Sequence, residues 1–63
     1  MSKEKVKVSL GQGQGDDYGY IVNPENVSFE IQPGCIAVEI TKVNTTYGRK
    51  GIWQFDKQFV KKI

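Results

Sequence analysis

Sixty-three residues limit the chain to one domain, because a chain of this size buries only about 60 % of the surface its unfolded form exposes. With 38 % hydrophobic and 25 % charged residues, a net charge of +2 and no apolar run near the ~18 residues of a membrane span, the composition is that of a soluble protein with no membrane partner. Cys35 is the only cysteine and there is no histidine, so an internal disulfide and the commonest metal cages are excluded, and with them the commonest general base near neutral pH. No catalytic group, metal or cofactor is expected.

The amino-terminal Met1-Ser2-Lys3-Glu4-Lys5 is charged and lacks the apolar stretch of a signal peptide, which reads as a cytoplasmic protein. Asn26-Val27-Ser28 and Asn44-Thr45-Thr46 match the glycosylation pattern but, without that signal, read as turn residues beside strands. Lys5, Lys7 and Ser9 alternate with Val6, Val8 and Leu10, which predicts a half-buried strand over residues 4–10. The run Gly11-Gln12-Gly13-Gln14-Gly15-Asp16-Asp17 reads as a flexible polar loop with a solvated acidic tip. Its glycines fit neither G-x-G-x-x-G nor a Walker loop, and no helix follows to meet a phosphate.

Tyr18 to Val22 extends again before Asn23-Pro24-Glu25-Asn26 forces a turn. Val27, Phe29 and Ile31 then alternate with Ser28 and Glu30, predicting another strand that ends at the turn Gln32-Pro33-Gly34. In residues 35–43, Ile36, Val38 and Ile40 point inward against Ala37, Glu39 and Thr41, and Cys35 reads as a small buried hydrophobe. Asn44 to Gly48 reads as a hairpin connection, and the returning strand runs from about Lys50 to Phe55. Asp56-Lys57-Gln58 forms a single helical turn, and Phe59 to Ile63 closes the chain as a short strand. The fold class is all-β, since no window keeps the spacing of an amphipathic helix.

This order of pieces resembles an SH3-like barrel of five strands spanning residues 1–63. The most specific likeness is Phe55-Asp56-Lys57-Gln58-Phe59-Val60-Lys61-Lys62-Ile63, which is similar to the family's closing motif of an apolar residue, Pro, two polar residues, Tyr, Val, two variable residues and Ile. The resemblance implies that Gly11 to Asn26 is the family's long first loop and that the first and last strands pair. It also implies that Val6, Val8, Leu10, Phe29, Ile31, Ile36, Val38, Ile40, Phe55, Val60 and Ile63 fill one barrel. Proline-rich ligands of eukaryotic SH3 domains lie between aromatic residues, but here Asp56 stands at the Pro position, Phe59 at the Tyr position, and Trp53 falls in the fourth strand.

Three function classes follow, all non-catalytic. The first is docking to a protein or peptide partner through Asp16, Asp17, Tyr18, Tyr20, Trp53 and Phe59, as a small stand-alone adaptor, regulator or inhibitor. The second is nucleic-acid binding. All nine basic residues fall at positions 3–7 or 42–62 while five of seven acids lie between 16 and 39, so Lys5, Lys7, Arg49, Lys50, Lys61 and Lys62 are its candidates, with Tyr47 and Trp53 as stacking groups. The third is self-association through strand edges.

Overall fold

The alternation of Val6 and Val8 with Lys5, Lys7 and Ser9 makes one face of the first strand apolar, and that face seeds the core. The computed structural model describes residues 4–11, 15–46 and 48–63. Strand β1 spans Lys5–Ser9, β2 Asp16–Ile21, β3 Cys35–Lys42, β4 Gly51–Asp56 and β5 Val60–Lys62, with single 3-10 turns at Pro24–Asn26 and Lys57–Phe59. All pairings are antiparallel in one sheet ordered β4-β3-β2-β1-β5. The chain therefore meanders through four strands and returns its last strand beside its first. The sheet is not closed, which makes the molecule an all-β protein compatible with a small barrel, ending in edges at β4 and β5.

Strand parity sorts the side chains. Val6, Val8, Val38, Ile40 and Phe55 form the buried cluster, with Leu10, Ile21, Ile36, Val43, Phe59 and Val60 packed against it. Each of the fully buried aliphatic side chains contributes about 1.5–3 kcal/mol relative to exposure. The Arg49 guanidinium carbon lies 5.6 Å from the Trp53 ring centre and 5.9 Å from that of Phe55, at the edge of this cluster.

Several expectations are corrected. Residues 27–31 form no strand, and Phe29 is 36 % exposed. The backbone here is held by a side chain instead of a neighbouring strand: Gln54 Nε2 donates to the Glu30 carbonyl and Gln54 Oε1 accepts from Gln32 N–H. Because Gln54 faces Ala37 across the β3–β4 ladder, this clamp lays the segment over the outer side of that pair, and Ala37 is buried rather than outward in solvent. Ile63 is 69 % exposed, because residues 60 and 63 lie on opposite sides of an alternating strand and Val60 takes the core side. Cys35 is only half-buried. Asp16 and Asp17 begin β2 instead of tipping a loop, so the first connection is a hairpin and not a long loop reaching Asn26. Within that connection Gln12, Gly13 and Gln14 lie outside the described residues, as does Tyr47 in the β3–β4 connection.

The tightest point is Gly19. It pairs with Ile40, and a side-chain carbon there would sit 2.8 Å from the Glu39 carbonyl carbon and 3.0 Å from Ile40 Cα. Only glycine lets β2 approach β3 this closely. Gly19→Ala is expected to lower stability by about 3 kcal/mol, because backbone and not a flexible side chain must move. A urea melt within about 0.5 kcal/mol of the parent protein would contradict this reading of the contact.

Candidate functional site

The position of Asp17 removes it from any exposed site. It is 1 % exposed, on the inner side of β2, and its carboxylate accepts three hydrogen bonds from the β3–β4 connection. Oδ1 accepts from Asn44 N–H at 2.8 Å and Thr45 N–H at 3.0 Å, and Oδ2 accepts from the Thr45 hydroxyl at 3.0 Å. A buried carboxylate satisfied in this way is a structural clamp. The expectation of a solvated acidic tip is thus corrected at Asp17, while Asp16 is half-buried opposite Ser9.

The remaining aromatic candidates do not share one face. Tyr18 and Tyr20 project from the outer face of β2, opposite in direction to Asp17 and Gly19. Trp53 pairs with Val38 and so has core-side parity, although it is 44 % exposed, and its Nε1 donates to the Lys50 carbonyl at 3.0 Å. Phe59 packs against the core from the second 3-10 turn.

The basic candidates separate into three groups. Arg49 and Lys50 lie beside Trp53, ahead of β4. Lys62 is ion-paired with Glu4 at 2.7 Å, a surface contact worth about 0–1 kcal/mol. Lys5, Lys7 and Lys61 have outer-face parity, and Lys7 is directly opposite both Tyr18 on β2 and Lys61 on β5.

A fourth cation joins this group, and the sequence reading missed it. Strict alternation puts Lys42 on the side of Ile36, Val38 and Ile40. The ladder slips between Tyr18 and Gly19, however: Gly19 pairs with Ile40 but Tyr18 pairs with Lys42, leaving Thr41 as the extra residue of a bulge. Thr41 Oγ1 donates to the Tyr18 carbonyl at 3.4 Å, and the Lys42 ammonium lies 6.0 Å from the Tyr18 ring centre. The result is a row across four adjacent strands, Lys61, Lys7, Tyr18 and Lys42, about 14 Å long at ordinary strand spacing. Beside it runs a second row of Lys5, Tyr20 and Glu39. Among the described residues no group of histidine, cysteine or carboxylate side chains is arranged to hold a metal ion, and no helix is long and apolar enough to cross a membrane.

No family model, curated protein or solved structure matches the chain.

The clamp at Asp17 makes a quantitative prediction. Asp17→Ala leaves the Asn44 and Thr45 amides without their acceptor and is expected to cost about 2–4 kcal/mol, whereas Asp17→Asn, which retains one carbonyl oxygen, costs less. Thermal melts of the two variants check the order, and equal melting temperatures would show that the three bonds contribute little.

Proposed function

We propose that the protein is a non-catalytic module that binds single-stranded nucleic acid on the outer face of its sheet, through Lys5, Lys7, Lys42 and Lys61 with Tyr18 and Tyr20. The observation that carries this reading is the row Lys61, Lys7, Tyr18, Lys42. It combines ammonium groups for phosphates with an aromatic ring on which a base can stack, both presented from paired strands of one sheet. Lys7 and Lys61 sit directly opposite each other, and among the described residues neither has an ion-pair partner. Stacking needs unpaired bases, which favours a single strand over a duplex.

The fold reading that goes with this is an SH3-like barrel opened along one seam. It is supported by the pairing of β1 with β5 and by the 3-10 turn at Lys57–Phe59 leading into β5. Docking of a protein through Asp16, Asp17, Tyr18, Tyr20, Trp53 and Phe59 takes second place, because Asp17 is buried and the aromatic residues lie on different faces.

Fluorescence anisotropy with a labelled single-stranded oligonucleotide tests the proposal. With four lysines on phosphates, the logarithm of the binding constant should fall with the logarithm of salt at a slope of about −3. Replacing Lys7 and Lys61 together by Ala should reduce that slope by about half, and Tyr18→Ala should weaken binding by about 1–3 kcal/mol with little change in slope. No measurable binding at low salt, or a slope unchanged by the double lysine variant, would refute the assignment.

A further inference from the structure

The two edges of the sheet are protected unequally. Strand β5 is three residues long and carries Lys61 and Lys62, the ordinary defence against edge-to-edge pairing. Strand β4 is six residues long, with neither lysine nor proline between Gly51 and Asp56, and it exposes Ile52 and Trp53. Among the described residues it pairs only with β3.

The phase of its free hydrogen bonds follows from one contact. Lys57 N–H donates to the Gly34 carbonyl, which continues the β3–β4 ladder by one pair. Hydrogen-bonded pairs alternate along an antiparallel ladder. Gly51, Trp53 and Phe55 therefore exchange bonds with β3, and Ile52, Gln54 and Asp56 turn their N–H and C=O groups outward. A shallow groove lined by Phe29, Ile52, Trp53 and Gln54 lies here. Three successive residues of a strand can line one groove only along its edge, so the apolar surface and the unpaired backbone coincide.

We infer that this edge pairs with β4 of a second copy of the chain, forming a two-fold dimer with one continuous ten-stranded sheet. The two-fold axis stands perpendicular to the sheet, so residues that face each other must share parity. Charge then selects the register with Trp53 opposite its own counterpart. In that register Ile52 and Gln54 form hydrogen-bonded pairs with the other copy's Gln54 and Ile52, and Lys50, the residue just before β4, comes near Asp56 at each end of the pairing. The Lys50 and Asp56 side chains are on exposed residues and have no partner among the described residues. Asp56 makes no capping bond to the 3-10 turn that it precedes. An edge of six residues, about 20 Å long, covers less than the roughly 800 Å² per partner of a standard interface, so the pairing is expected to be reversible and concentration-dependent.

Sedimentation velocity on the full chain, from micromolar to millimolar concentration, tests this independently of any nucleic-acid binding. The expected result is a monomer–dimer equilibrium. Ile52→Lys, Lys50→Asp and Asp56→Lys should each weaken it at least about tenfold, and combining Lys50→Asp with Asp56→Lys should restore it to within about threefold. Circular dichroism melts confirm that each variant folds. A monomer throughout overturns the inference. A dimer indifferent to Ile52→Lys, or one that the charge swap fails to restore, also overturns it.

Discussion

Where β2 crosses β3, the Glu39 carbonyl and the Ile40 backbone occupy the space in which any residue but glycine would place its side chain. This close approach at Gly19 fixes the register from there to Ile21, and immediately before it the ladder slips. The slip inserts Thr41 and turns Lys42 from the core side to the side of Tyr18. Without the slip a lysine would enter the row of Ile36, Val38 and Ile40, at a desolvation cost that a core of this size cannot bear. One local irregularity thus keeps the core apolar and adds a charge to the outer face.

The Asp17 carboxylate complements this constraint from the other side of β2. Its three bonds tie the strand to Asn44 and Thr45, at the start of the connection that carries Arg49 to the rings of Trp53 and Phe55. Gln54 acts similarly for the segment 27–32, since its amide offers an acceptor and a donor as a neighbouring strand would. A small sheet with too little apolar surface to bury its connections on both faces anchors them through single polar side chains instead.

What the sequence made legible was whatever depends on period-two alternation. Val6, Val8, Val38 and Ile40 are in the core as their spacing predicts, Phe55 is there as the resemblance implies, and β1, β3, β4 and the turn before β5 fall close to their expected places. What remained hidden depends on partners distant in the chain. Val27, Phe29 and Ile31 alternate like a strand, yet nothing in their own sequence shows that a glutamine 22 residues beyond Gln32 will take the place of a pairing strand. Asp17 looks like half of an acidic loop pair until Thr45 is brought to it. Ile63, which the resemblance places in the barrel, is put on the side opposite Val60 by period two alone, and there it lies exposed. For the candidate site, the charge order together with the pairing of first and last strands implied by the resemblance groups Lys5, Lys7, Lys61 and Lys62; the structure keeps Lys5, Lys7 and Lys61 on one face but turns Lys62 to the side of Val6, and Lys42 required the bulge, which leaves no signature in the sequence of β3.

The outer row departs from what folding alone favours. Like charges directly opposite each other on adjacent strands are destabilising, by something on the order of 0.2–1 kcal/mol, and Lys7 faces Lys61 with no carboxylate to separate them. Acids were available: Glu4 is spent on Lys62, Asp16 lies beside Ser9, and Glu39 lies beside Tyr20. A sheet that needed only solubility would gain by alternating the signs across its strands, as the Lys62–Glu4 pair does at the margin. Instead the repulsion is concentrated on the row that also carries the exposed side of Tyr18. Local rules broken without a folding gain are expected at functional positions. In the binding proposed above, a polyanion laid across the row would convert that repulsion into attraction.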